Sequence, residues 1–270
     1  MYFLYPLFLI GVSTGFVVYW HYKRRFTKWI LLYSFIAYFG AFGLKEIVQI
    51  PTINAFKGAT GGNLFALGVY YGLQTVFLEV SLAYVVATLA VKRNQMKVED
   101  AESYGLGLGI WENGVLIAFL TVPLSIVNLL AYYSILSSGG SLGQLVYSEL
   151  LGNFPSLFYP PSRALPIIGL ALVERASSFL AHFSWGYLCV LAAAYKKRVF
   201  VLVALPMGLV DFLVPFASSI GVARFEVLVF AFSLLSLAVT FVIAKGIRKK
   251  PNLKEESVDT HLQQKEPDTR

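Results

Sequence analysis

The sequence predicts an all-α protein, a polytopic membrane bundle of about seven transmembrane helices. Hydrophobic residues make up 57% of the 270 residues, and the mean hydropathy is +0.67. Only 14% of the residues are charged, whereas soluble domains carry about 25%. Long apolar stretches recur along the chain, and clusters of Lys and Arg separate many of them. These observations together exclude a large soluble fold.

The predicted helices follow from the length of the apolar stretches. A helix needs about 20 predominantly apolar residues to cross the hydrocarbon core. The stretches that meet this requirement are 2–20, 29–49, 63–91, 105–133, 164–194, 199–219 and 223–244. They form one predicted transmembrane helical domain over 1–248. Residues 249–270 are polar and lack aromatic rings, which predicts a disordered cytoplasmic tail.

The connectors between the spans predict the orientation of the chain. Several basic residues occur in each of the connectors 21–28, 92–104 and 196–198, and again where the last span ends, at 245–250. The other connectors carry one basic residue each. Because basic connectors stay on the cytoplasmic side, we expect the N-terminus outside and the C-terminus in the cytoplasm. The lipid bilayer is thus the expected partner, and a multi-pass protein of the cell membrane the expected localisation.

The formal net charge of +7 does not indicate a nucleic-acid partner. The basic residues separate apolar spans instead of forming one basic face. The single cysteine, Cys189, lies in an apolar run, where a buried side chain is expected. One cysteine excludes an internal disulfide.

Ionisable residues within the spans are the candidates for a functional site. A charged side chain at the centre of a membrane helix costs about 2.5–3.5 kcal/mol on insertion scales, so such groups face the bundle interior or pair with one another. The sequence places the following at middle to cytoplasmic depth: Glu79, Glu112, Glu174, Arg175, His182 and Asp211. Lys45 and Glu46 are expected at the outer end of the second span, where long side chains reach the interface.

Helical spacing groups some of these residues on one face. Arg175, Ser178 and His182 follow each other at i, i+3 and i+7 and share a face of the fifth span. Gly105 and Gly109 share a stripe with Glu112, and small residues allow another helix to approach closely.

Two prolines flank Asp211 in the sixth span. Pro206 and Pro215 free backbone carbonyls near the carboxylate and favour a kink in this helix.

A structural interpretation of the ionisable residues, in which they stabilise the bundle and carry no chemistry, stays open at this point. Arg175 with Glu174 or Asp211 forms a stabilising ion pair in that interpretation, and His182 an interhelical hydrogen bond.

Taken together, these motifs resemble the YhfC family of predicted intramembrane proteases, which is related to the CAAX-prenyl, bacteriocin-processing and PrsW-type membrane proteases. Glu-Arg at 174–175 followed by His182 matches one family element. Gly-Leu-Gly-Ile-Trp-Glu at 107–112 keeps the glycines and glutamate of Gly-His-Gly-x-x-Glu, with leucine in place of histidine. Asp211 matches the family's His-x-x-x-Asp element, with methionine at the histidine position. Lys-Glu at 45–46 keeps only the second glutamate of a Glu-Glu-x-x-Arg element.

The resemblance implies hydrolysis of a peptide bond within the membrane, with a membrane-tethered peptide or protein as substrate. The catalytic residues that it implies are Glu112, Glu174, Arg175, His182 and Asp211. Glu112 or Glu174 would activate a water molecule, and His182 with Arg175 would stabilise the oxyanion. No cofactor is expected, because a zinc site of three histidines is excluded when His21 and His261 lie outside the bundle.

Three alternatives to this interpretation stay open. Zinc accepts carboxylate oxygens, so His182 with Glu112 and Glu174 or Asp211 is a disfavoured metal site. Loss of two family histidines is also compatible with a catalytically degenerate family member. Finally, the intramembrane polar cluster suits a non-enzymatic membrane protein, either a transporter or a partner-binding scaffold.

Overall fold

The fold consists of helices throughout the described part of the chain. The structure, a computed structural model, describes residues 4–23, 26–118 and 159–248, with isolated helical positions between 119 and 158. No strand occurs among these residues. The predicted tail at 249–270 lies outside them.

Seven helical segments occur in the described ranges. The first four are α1 (Leu4–Tyr22), α2 (Lys28–Ala59), α3 (Leu64–Lys92) and α4, which begins with Ala101–Ile110 and continues through a π turn at Trp111–Leu116. The others are α5 (Pro161–Tyr195), α6 (Val199–Ile220) and α7 (Val222–Arg248).

Five of the described helices are long and apolar enough to cross a membrane, namely α2, α3, α5, α6 and α7. The chain is therefore a helical membrane protein. The helix α1 has 19 residues and coincides with the first predicted span, but it is not among these five. The fourth predicted span is described continuously only as far as residue 118. The count of seven spans and the orientation of the termini stay predictions.

The helix α2 is longer than the apolar stretch that predicted it. It ends at Ala59, ten residues beyond the predicted end at residue 49, and it passes through Pro51 without interruption. Its N-terminus is capped by Thr27, whose hydroxyl accepts a hydrogen bond from the Ile30 amide at 3.3 Å. Hydropathy predicts where a helix leaves the hydrocarbon core of the membrane, whereas the helix itself ends where its backbone hydrogen bonds end.

Glycines bring the backbones of α4 and α5 into contact. A Cβ atom added to Gly105 would lie 2.5 Å from the Phe183 carbonyl oxygen, and one added to Gly186 would lie 2.8 Å from the Gly105 Cα. This contact confirms the close helix approach expected from the glycine stripe. Cys189 is free and buried in the same core, as predicted.

The helices α3 and α6 also approach closely through small residues. A Cβ atom on Gly68 would lie 2.6 Å from the Phe212 carbonyl oxygen, and one on Gly208 would lie 3.0 Å from the Val76 amide nitrogen. The Gly208 contact packs α6 against the part of α3 that carries Glu79, and so it brings the carboxylates of both helices into one region.

Besides the short 3₁₀ turn at Val98–Asp100, three helical segments of the described ranges depart from α geometry, and each of the three carries an acidic residue of the predicted interior. Glu79 lies in a π turn at Thr75–Val80, and Glu112 in the π turn at Trp111–Leu116. Asp211 lies in a 3₁₀ segment, Leu205–Phe216. Since Pro206 and Pro215 lack amide protons, this segment cannot complete a regular α ladder, in accord with the predicted irregularity. Such irregular turns occur frequently at functional sites.

Candidate functional site

A cavity of about 430 Å³ lies among α2 to α7. Every residue of the predicted catalytic set lines it: Glu112, Glu174, Arg175, His182 and Asp211. Lys45, Glu46 and Glu79 lie in the same walls. The ionisable residues of the membrane interior thus converge on one site.

His182 is held between two carboxylates on opposite sides of its ring. Its Nδ1 atom lies 2.9 Å from the Ser178 carbonyl oxygen and 3.0 Å from Glu112 Oε2. A carbonyl oxygen only accepts hydrogen bonds, so the Ser178 contact places a proton on Nδ1. On the other side, Nε2 lies 3.3 Å from Glu79 Oε2, which is within ion-pair distance but lacks hydrogen-bond geometry.

Glu112 is fixed through one of its two carboxylate oxygens. Oε2 accepts a hydrogen bond from the Ser178 hydroxyl at 2.6 Å and meets His182 Nδ1. The second oxygen, Oε1, lies 3.7 Å from Arg175 Nη1. That separation is longer than a direct hydrogen bond and suits one bridging water molecule. Glu112 therefore has one anchored oxygen and one oxygen available for chemistry.

Arg175 joins the predicted residues of α4 and α5. Its guanidinium forms an ion pair with Glu174, the neighbouring residue in the sequence, and donates a hydrogen bond to Asn113 Oδ1 at 3.4 Å. The Glu174 side chain is 46% exposed, against 14% for Arg175 and 19% for Glu112. Glu174 consequently lies at the open end of the cluster, and its position suits holding Arg175 better than activating water.

Lys45 departs from its predicted position. It was expected to extend to the interface, but its ammonium group lies 2.5 Å from Glu79 Oε1 and 3.1 Å from Asp211 Oδ2. Thr75 accepts a further hydrogen bond from it at 3.0 Å. The physical reason is the length of α2: because the helix continues to Ala59, Lys45 lies near the middle of its 32 residues.

These contacts form a continuous series of alternating acidic and basic groups, called here the buried network. Its members, in order of contact, are Asp211, Lys45, Glu79, His182, Glu112, Arg175 and Glu174. The series crosses α2, α3, α4, α5 and α6. Asp211 does not touch the other predicted residues directly; it reaches them through Lys45 and Glu79.

Several contributors to the site lie outside the predicted catalytic set. Lys45 and Glu79 link Asp211 to His182, and Asn113 contacts Arg175. The rings of Tyr38 and Trp185 pack on the His182 ring at centroid distances of 5.8 and 4.3 Å. Glu79 carried a usable signal, because it is an acid at middle depth without a basic residue in its own span. Tyr38 and Trp185 carried no such signal, because nothing in the sequence distinguishes them from the many other aromatic residues.

The described ranges contain no cluster of side chains arranged to bind a metal ion. No three His, Cys, Asp or Glu side chains there are grouped as metal ligands. Glu46, held by the resemblance alone, lines the cavity without an ion pair to any described residue.

The fold and the cavity define a helical membrane protein with an ionisable site buried inside its bundle. Comparison with protein-family models, curated proteins and solved structures found no match to this chain. The function is therefore argued from the site itself.

Proposed function

We propose that this chain is an intramembrane hydrolase that cleaves a peptide bond with a water molecule activated by Glu112. The observation that carries the proposal is the asymmetric setting of Glu112 in the cavity wall. One oxygen is anchored by Ser178 and His182, and the other faces Arg175 across 3.7 Å. In this setting the carboxylate suits the role of a general base for water, and the guanidinium suits stabilisation of an oxyanion.

The reaction proceeds in two steps at Glu112 Oε1. The carboxylate takes a proton from water while the water oxygen attacks the substrate carbonyl carbon, and the resulting oxyanion is stabilised by the Arg175 guanidinium. The protonated Glu112 then gives its proton to the leaving nitrogen as the carbon–nitrogen bond breaks. His182 has its Nδ1 proton committed to Ser178 and Glu112. We therefore assign it to positioning Glu112 and not to the oxyanion.

The remaining members of the network support this chemistry from a distance. Glu174 pairs with Arg175 and orients its guanidinium, while Asp211 and Lys45 fix Glu79 beside the His182 ring. The resemblance to the YhfC family proposes the same reaction class and a membrane-tethered peptide or protein as substrate. No metal enters this mechanism.

The experiment uses purified full-length protein in nanodiscs with a library of transmembrane peptides, and mass spectrometry detects cleavage in H₂¹⁸O. We expect one ¹⁸O atom in each new carboxylate. Replacing Glu112→Gln should lower the rate by about 10²–10⁴-fold, the usual contribution of a general base.

The matched control is Glu102→Gln, which makes the same change in the first turn of α4, outside the cavity lining. It should cleave at the unaltered rate. Undiminished cleavage by folded Glu112→Gln protein, with ¹⁸O incorporation intact, would remove Glu112 from the mechanism.

The buried network itself favours a second candidate function, proton or cation transfer across the membrane. Alternating acidic and basic groups inside a bundle are typical of proton relays in pumps and transporters. Both ends of the series are more exposed than its middle, at 32% for the Asp211 side chain and 46% for Glu174. Proton uptake by proteoliposomes that is lost in folded Glu79→Gln protein, with no peptide cleaved, would favour this candidate.

A further inference from the structure

The charges that line the cavity do not balance. Five acidic and three basic side chains face it: Glu46, Glu79, Glu112, Glu174, Asp211, Lys45, Arg175 and His182. With all carboxylates ionised, the walls carry two negative charges in excess when His182 is protonated, and three when it is neutral. Uncompensated charge inside a membrane bundle is unfavourable, and a positively charged ligand in the cavity would offset it.

The chain itself supplies no further counter-ion from the segment between α4 and α5. Residues 119–158 contain neither Lys nor Arg nor His, and Glu149 is their one ionisable acidic group. Among the described residues, no basic side chains beyond Lys45, Arg175 and His182 line the cavity.

A buried nitrogen in the cavity wall lacks a hydrogen-bond partner. His182 is 6% exposed, and its Nε2 atom forms no hydrogen bond among the described residues. When the ring is neutral, the Nδ1 proton held by Ser178 leaves a lone pair on Nε2. Glu79 Oε2 lies 3.3 Å away and also accepts hydrogen bonds. In this neutral state of the ring, the two neighbouring acceptors are satisfied by a donor that contacts both, such as the N–H group of an amine.

Aromatic rings also line the cavity. The rings that line the cavity belong to Tyr38, Phe42, Tyr71, Trp185 and Phe225. The faces of such rings attract cations, and they favour organic ammonium groups over strongly hydrated metal ions because ring contacts replace little of a hydration shell.

From the charge excess, the buried Nε2 atom without a hydrogen bond and the aromatic walls, we infer that the cavity binds an organic monocation, an amine with an apolar body. The binding itself does not depend on catalysis. A role of this cation site in substrate specificity rests on the proposed function. In that case the bound cation is a Lys or Arg side chain, or a free amino terminus, beside the scissile bond of the substrate.

The test measures binding to the full-length protein in phosphatidylcholine nanodiscs by calorimetric titration. The probe is benzylammonium, which carries both the positive charge and N–H donors, and the comparison compounds are benzyl alcohol, which is neutral, and benzenesulfonate, which is anionic. Empty nanodiscs correct for partition into lipid. We expect saturable binding of the cation alone. Glu46→Gln should raise its Kd about fivefold to tenfold, as expected for loss of one favourable charge interaction.

Glu102→Gln again serves as the matched control, because it makes the same charge change outside the cavity lining, and we expect its Kd to be unchanged. Glu174→Gln, at the half-exposed end of the network, is the second variant should Glu46→Gln fail to fold. Binding of benzyl alcohol as tightly as the cation, or an unchanged Kd in the folded Glu variants, would overturn the inference. So would saturation of the site by Na⁺ at an equal concentration.

Different experimental outcomes contradict the proposed hydrolase activity and the proposed cation site. A protein that binds the cation but releases no ¹⁸O-labelled product contradicts the hydrolase and leaves the binding site intact. A protein that cleaves peptides yet ignores the cation contradicts the binding site alone.

Discussion

Lys45 is the residue whose role changes most between sequence and structure. It lies between Glu79 and Asp211, two carboxylates from different helices, with Thr75 as a further acceptor. The position of a lysine within an apolar stretch predicts its depth in the membrane only when the helix ends where the stretch ends. Here α2 continues, and the ammonium group moves from the expected interface to the interior.

Removal of the Lys45 charge should destabilise the bundle. Lys45→Met leaves two carboxylates without their cation, and breaking one partner of a buried ion pair costs about 3–5 kcal/mol. We expect a lower midpoint in thermal unfolding of the detergent-solubilised protein. Lys57→Met is the control, because Lys57 is exposed in the last turn of the same helix.

A second substitution separates ion pairing from packing at this position. Adding Glu79→Gln to Lys45→Met removes one of the stranded carboxylates, so the double variant should recover part of the lost stability. If the loss of stability in the double variant equals the sum of the losses in the two single variants, Lys45 and Glu79 do not interact energetically.

At the scale of elements, the site depends on helices that are not regular. Glu79 and Glu112 lie in π turns and Asp211 in a 3₁₀ segment. A π turn accommodates about one extra residue, which rotates the following residues by about 100° around the helix axis. Such a rotation decides which face a carboxylate presents, and no periodic pattern in the sequence predicts it.

Close contact between α4 and α5 holds Glu112 against His182, and glycine makes that contact possible. We expect Gly105→Ala to destabilise the protein by about 1–3 kcal/mol, the usual cost of overpacking, because the new methyl group meets the Phe183 carbonyl. Thermal unfolding measures the loss.

Gly169→Ala is the matched control for this prediction. Gly169 lies in α5, and a Cβ atom there meets nothing within 4 Å. Alanine at an open helical position should stabilise the protein by up to about 1 kcal/mol through helix propensity. Equal effects of the two substitutions would contradict the view that α4 and α5 need backbone contact.

At the scale of the whole molecule, the distribution of basic connectors predicts the orientation in the membrane. Lys57 and Lys97 are exposed and lie beyond opposite ends of α3. In a Cys189→Ala background, we expect Lys57→Cys to react with a membrane-impermeant maleimide on intact cells. Lys97→Cys should react only after lysis, because positive connectors stay cytoplasmic.

The opposite labelling pattern would place the N-terminus inside and reverse the orientation. Labelling of both positions on intact cells would contradict a bilayer crossing by α3. Either outcome is read against total labelling in lysed cells, which corrects for the reactivity of each cysteine.

The sequence by itself determined the class of the molecule. Composition and the recurring apolar stretches predicted a helical membrane bundle, because hydrocarbon tolerates backbone polar groups only when helices or closed barrels satisfy them. The same physical argument selected Glu112, Glu174, Arg175, His182 and Asp211, since ionisable groups inside a span need partners. All of these line one cavity.

Only the tertiary structure decided which groups pair. His182 meets Glu79 and Glu112, Asp211 meets Lys45, and Arg175 bridges Glu112 and Glu174. These pairings depend on where helices end, where π turns shift the helical register, and how closely glycine allows two backbones to approach. Each of these is fixed by contacts between segments far apart in the chain, which a reading of local residue patterns does not contain.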